Sequence, residues 1–163
     1  HCMTKGITFI RTATQSDLSL ILHLFTDTIL NVNAADYTRE QLNAWSSAAA
    51  NKDVWLTKLE QDYFIVALID EEITGFASLT NEGAVDLLYV HKEYQRKGIA
   101  ASLLRQLEQK ANALGLNEIT TDASITAYPF FLKHGFYVTE EYVKQRNGVD
   151  FLNRKMKKRL RLG

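Results

Sequence analysis

The residues best equipped for chemistry form one stretch, Leu87-Leu88-Tyr89-Val90-His91-Lys92-Glu93-Tyr94-Gln95-Arg96-Lys97-Gly98-Ile99-Ala100, an apolar run that passes through a basic turn into a helix start. Unpaired amide hydrogens of a first helical turn and the positive end of the helix dipole favour an anion there, and Gly98 lets backbone approach it closely. Arg96 and Lys97 add charge at the rim, so a pyrophosphate fits. The turn lacks the glycine, lysine and hydroxyl spacing of a nucleoside-triphosphate loop and the three glycines of a dinucleotide fingerprint. Just upstream, Asp86 interrupts the apolar run Ala84 to Val90 and is expected on the strand face of Leu88 and Val90. A carboxylate there serves either as a proton acceptor or as half of a salt bridge.

Gln95-Arg96-Lys97-Gly98-Ile99-Ala100 after Leu88-Tyr89-Val90 resembles the acetyl-CoA pyrophosphate motif of the GNAT N-acetyltransferase superfamily. The order of elements, including Phe130-Phe131-x-x-His134-Gly135-Phe136, is similar to that family over nearly the whole chain. The resemblance implies acetyl-CoA as cosubstrate in a cleft where the strand ending at Val90 splays from the one ending near Asp122. Leu88, Tyr89 and Val90 would lie along its pantetheine arm, and Gln95, Arg96, Lys97, Gly98, Ile99, Ala100 and Ala101 would hold its pyrophosphate. It further implies direct attack by a primary amine of a small molecule, peptide or protein, with Asp86 as the candidate base and Glu82 and His91 behind it.

The chain departs from the family at the proton donor. Ser124 and Phe131 stand where the family often has Asn and Tyr; both are assigned to the cofactor site, Phe131 as an apolar wall because it has no proton to give. Tyr128, three residues earlier on the same helix, is the candidate donor, with packing beside Lys133 as the alternative. The competing function is a CoA-binding or sensing module of little activity, motivated by Phe131. Tyr37 and Trp45 lie in Asp36-Tyr37-Thr38-Arg39-Glu40-Gln41-Leu42-Asn43-Ala44-Trp45, which is similar to a stretch of one group of uncharacterised GNAT enzymes, and are assigned to the acceptor pocket. The alternative has Trp45 anchoring a short helix with Leu42.

The elements that must position these groups are legible in periodicity and caps. A first strand runs from Ile7 to about Ala13, and Thr14 and Asp17 open a helix whose core face is Leu18, Ile21, Leu22, Phe25 and Ile29. Thr38 and Gln41 open a short second helix, and a third begins near Asp53 with Trp55, Leu56 and Leu59. Tyr63–Ile69, Ile73–Leu79 and Ala84–Val90 read as an antiparallel meander. The helix from Gly98 carries Leu103, Leu104, Leu107, Ala111 and Leu114 on one face and stops at Gly115. A strand at Glu118–Asp122, a helix at Thr126–His134, a strand at Phe136–Val143, an Asn147-Gly148 turn and a strand at Val149–Met156 complete the order. The expectation is an α/β (α+β) domain over residues 1–163, with a mixed, mostly antiparallel sheet of about seven strands flanked by helices.

Composition bounds the partners. The 163 residues carry 19 basic and 19 acidic side chains and are 46% hydrophobic, enough for a core without staples. The one cysteine, Cys2, precedes Met3, so His1-Cys2 reads as lying ahead of the native start, leaving no thiolate metal site or nucleophile. His23 and His134 lack a partner at metal spacing, so no metal is proposed. No apolar run reads as approaching the roughly 20 residues of a membrane span, which argues for a cytoplasmic setting with no membrane partner. The basic stretch Arg154 to Arg161 has no interleaved aromatics and is read as a solvated end rather than a nucleic-acid site. A homodimer is compatible with all of this.

Overall fold

The computed structural model describes residues 8–160, so Ile7, the His1-Cys2-Met3 start and Arg161 lie outside the described residues. One seven-stranded sheet runs in the order β1 (Phe9–Thr12), β2 (Tyr63–Ile69), β3 (Glu72–Leu79), β4 (Ala84–Val90), β5 (Glu118–Ala123), β7 (Val149–Arg159), β6 (Tyr137–Arg146). Helices α1 (Leu18–Asn31), α2 (Arg39–Ser46) and α3 (Lys52–Gln61) pack on one face, while α4 (Ile99–Ala113) and α5 (Tyr128–Lys133) pack on the other. Phe64, Val66, Phe76 and Leu87 point into the first layer, and Ile65, Ala67, Ala77 and Val90 into the second, the period of two expected of strands buried on both faces.

The local signals act as their chemistry requires. Gln41 N–H donates to Thr38 Oγ1 at 3.1 Å and Thr38 N–H donates to Gln41 Oε1 at 2.9 Å, a reciprocal cap for α2. Ahead of α1, the Asp17 carboxylate accepts from Thr14 N–H at 2.8 Å and from both Arg11 Nη atoms at 2.8 and 2.9 Å. Asn147 and Gly148 have φ of 50° and 76°, the paired left-handed geometry of a tight hairpin. Gly75 lets α4 approach: a Cβ there would lie 3.0 Å from the Tyr89 carbonyl oxygen and 3.2 Å from both Ile99 and Leu103.

Four expectations are corrected. Arg154 to Arg159 are no solvated end, because β7 continues through them, paired with β5 throughout and with β6 as far as Lys157. Their charge is accommodated by pairing: Met156 is buried, while Arg154, Lys155 and Lys157 reach Glu141, Glu140 and Glu118. The helix expected from Thr126 starts at Tyr128, since Ser124 to Ala127 form a turn in which Ser124 Oγ accepts from Ala127 N–H at 3.1 Å. Leu114 lies past the end of α4 and is exposed. Gln15–Ala35 is long and apolar enough, with mean hydropathy 1.3, to pass for a membrane span by composition. Its helix nevertheless buries Leu18, Ile21, Leu22, Leu24, Phe25 and Ile29 against the sheet.

Candidate active site

β4 and β5 run parallel but pair only through Ala84 with Thr120 and Val85 with Thr121; beyond Val85 they part. An antiparallel ladder uses alternate peptides. His91 N–H bonds the Thr74 carbonyl at 2.8 Å on the β3 side, so the peptides of Leu88 and Val90 face the opposite, open edge. The Val90 carbonyl accordingly accepts from Gln95 Nε2 at 2.6 Å and Thr28 Oγ1 at 3.3 Å rather than from a strand. A cavity of about 840 Å³ occupies the gap. Its wall draws Trp45, Trp55, Lys58 and Arg146 from the α1–α3 side and Ala100, Ala127 and Phe131 from the α4–α5 side, so it passes through the plane of the sheet.

The basic turn closes one end. Gln95 braces it through the Val90 carbonyl, Arg96 sits at φ 62° and Gly98 at φ 80° caps α4. A Cβ on Gly98 would meet nothing within 4 Å, so the backbone there opens onto free space. Ile99 is buried in the second core layer and anchors the helix entry, Ala100 lines the cavity, Ala101 is half-buried, and Arg96 and Lys97 are exposed.

Residues 33–160 match the family model described as an acetyltransferase (GNAT) domain. The chain belongs to the GNAT family of N-acetyltransferases. It is 32% identical over 144 residues, 88% of its length and 91% of the relative's, to the uncharacterised N-acetyltransferase YafP of Escherichia coli K12. A crystal structure of a GCN5-related N-acetyltransferase from Rhodopseudomonas palustris superposes with a TM-score of 0.92 at 31% identity, covering 98% of this chain and 100% of that one. The PaiA N-acetyltransferase of Thermoplasma acidophilum, solved with coenzyme A, gives a TM-score of 0.76 at 23% identity over 94% of this chain and 99% of that one.

Within this GNAT fold, Asp86 stands differently from its expected place. The register of β3 against β4 slips between Ser78, opposite Leu87, and Leu79, opposite Val85, so Asp86 is the extra residue of a bulge. Val85 therefore joins Leu88 and Val90 toward α4, whereas Leu87 and Tyr89 face α1 and α3. The Asp86 carboxylate turns to the latter side and pairs with Lys58 of α3. The carboxyl of nearby Asp62 is held above its ordinary range, first by burial and then by the Asp86 charge.

The other expected residues divide. Phe131 is buried, packs edge-on against Phe136 at 4.9 Å and lines the cavity, combining core and wall. Ser124 lines the cavity while capping its own turn. Tyr128 is absent from the wall: its ring lies under the Arg154 guanidinium, 4.2 Å away. Tyr37 is buried behind the wall, its hydroxyl accepting from Ile125 N–H at 2.7 Å, and it packs edge-on against Trp45. Trp45 reaches the cavity and donates from Nε1 to the Tyr89 hydroxyl at 3.2 Å. Burial pushes that hydroxyl up to about 12, so it keeps its proton. Lys58 and Arg146 also line the cavity; neither carried a sequence signal, because a lysine on an amphipathic helix and an arginine beside a turn read as solvated charge.

Proposed function

We propose that this N-acetyltransferase moves an acetyl group from acetyl-CoA directly to a primary amine. One observation carries the reading: the parted β4 and β5 leave the Leu88 and Val90 peptides on an edge between a glycine-opened helix start and a carboxylate-bearing wall. The residues present fit the cosubstrate. The Gln95 to Ala101 turn offers first-turn amides and the Arg96 and Lys97 charges to its pyrophosphate, and free space at Gly98 allows close approach. The Leu88 amide suits the pantetheine arm, whereas the Val90 carbonyl is engaged by Gln95 and Thr28. Bound acetyl-CoA supplies an activated thioester.

The remaining work falls to the chain. Asp86 takes the proton from the acceptor ammonium, after Lys58 yields to the incoming cation. The free amine then forms a bond to the acetyl carbon, the nitrogen of the tetrahedral adduct gives up its second proton to solvent, the carbon–sulfur bond breaks, and the thiolate leaves to be protonated by solvent. A β4 amide hydrogen on the open edge stabilises the developing oxyanion. Residues from both faces of the sheet line the cavity, which supports entry of cosubstrate and acceptor from opposite sides. Thiol release from acetyl-CoA across a primary-amine library, beside calorimetry with CoA alone, tests this: turnover with at least one amine is expected. Binding of CoA without turnover of any amine would instead mark a CoA-binding module, the reading that Phe131 motivates.

A further inference from the structure

We infer that Arg146 selects acceptors carrying a carboxylate as well as the reacting amine. This rests on the amine-acetylation reading above and names its substrate class. Arg146 ends β6 beside the Asn147-Gly148 turn, and the tip of that hairpin is pinned to the helical layer. Asn147 Nδ2 donates to Ser47 Oγ at 2.8 Å, and Gln41 Nε2 donates to the Asp150 carbonyl at 2.9 Å. The pinning sets the Arg146 guanidinium over Trp45 and Phe151, 5.1 and 5.3 Å from the ring centroids. Aromatic faces hold a guanidinium in place without satisfying its N–H donors.

The charge on the wall singles Arg146 out. Lys58, Lys144, Lys155 and Lys157 also line the cavity, and each has a carboxylate partner: Asp86, Asp122, Glu140 and Glu118 respectively. Arg146 has no ion-pair partner among the described residues, and its Nε is buried without a hydrogen-bond acceptor. A buried, unsatisfied donor on a cationic fork is costly unless an anion completes it, and the planar fork matches a carboxylate. The pyrophosphate of CoA is the wrong anion. Trp45 and Phe151 belong to the α1–α3 core layer, whereas Ile99, next to Gly98, is buried in the α4–α5 layer across the sheet. Asp86 turns to the same side as Arg146, so this half of the cavity presents a carboxylate for an ammonium and a guanidinium for a carboxylate, the complement of an amino acid.

The test measures thiol release with L-amino acids and with ω-amino acids from glycine to 6-aminohexanoate, each beside its carboxamide, in wild type, Arg146→Met and Arg146→Lys. Wild type is expected to favour at least one acid over its amide by about 10- to 100-fold in kcat/KM, the range of a charge-assisted pair. Arg146→Met should erase that preference through the acid alone, Arg146→Lys should restore part of it, and CoA affinity should be equal in all three. Equal rates for acids and amides in wild type, or an acid preference that survives Arg146→Met, would overturn the inference while leaving amine acetylation standing. Loss of CoA binding, or no release with any amine, defeats the underlying reading instead. In a protein that binds CoA but turns over nothing, calorimetry of the same acids into the CoA-loaded chain decides, and heat independent of Arg146 overturns the inference.

Discussion

Lys58 on α3 pairs with Asp86 at the bulge of β4, so the one carboxylate inside the β4 run is held at the cavity wall on the side of Trp45 and Tyr89. Both side chains are about one-third exposed or less, at 27% and 33%, and a pair of that kind contributes roughly 0–1 kcal/mol to stability. Asp86→Asn should therefore melt within a few degrees of wild type and bind CoA unchanged. Its turnover should fall by about 100-fold or more, because an amide cannot accept the ammonium proton. Steady-state kinetics beside thermal denaturation checks this; a folded variant with undiminished turnover would remove Asp86 from the chemistry.

Gly98 and Arg96 share the basic turn but should matter unequally to CoA. Gly98 is at φ 80° with open space where a side chain would stand, so Gly98→Val both strains the backbone and fills the approach. A loss of CoA affinity of about 10-fold or more is expected from the blocked contact, while the left-handed penalty of roughly 1–2 kcal/mol should show as lost stability. Arg96→Glu, on the exposed rim, should weaken binding by less. Calorimetry with CoA on both folded variants reads the difference, and equal affinity of Gly98→Val and wild type would sink the site.

Phe131→Tyr adds a hydroxyl to a ring that is both packed and part of the wall. The ring's volume barely changes, so CoA affinity should hold and stability should drop by about 1–3 kcal/mol at most, the cost of a buried hydroxyl left unpaired. If thiolate departure limits the rate, kcat rises. Single-turnover kinetics with one acceptor at fixed pH gives the answer, and an unchanged rate places the slow step elsewhere.

Asp17 makes the fold sensitive to acid. The Arg11 guanidinium, with help from Thr14 N–H and against the opposing effect of burial, holds its carboxyl below the usual range. A depressed folded-state value contributes stability that is complete above the unfolded value of about 3.9 and is lost as pH falls through the lower, folded one. Asp17→Asn should lower stability at pH 7 by about 1–3 kcal/mol, the usual worth of charge-assisted hydrogen bonds to a buried carboxylate. Denaturation from pH 7 to about pH 2 should show a smaller acid loss in the variant than in wild type; parallel curves would assign the acid limb to other groups.

What the sequence determined by itself is local. Caps such as Thr38 with Gln41, the Asn147-Gly148 turn, and the apolar periods of α1, α4 and the meander each place a few neighbouring residues under one steric or hydrogen-bonding constraint, so the strand–turn–helix carrying Leu88 to Ala101 was legible with its boundaries. Tertiary structure alone decided which remote elements meet. β7 enters between β5 and β6, turning a basic stretch into a central strand, because Met156 buries where both neighbours offer partners, Thr121 of β5 and Val138 of β6. The bulge at Asp86 depends on β3 pairing from outside β4, and it reverses a face that strict alternation assigns to Leu88 and Val90. Tyr128 was claimed by Arg154, 26 positions away, rather than by its own helix. Arg146 faces Trp45 only because a hairpin tip docks on α2, and a contact spanning about 100 residues leaves no mark in the period or composition of either segment.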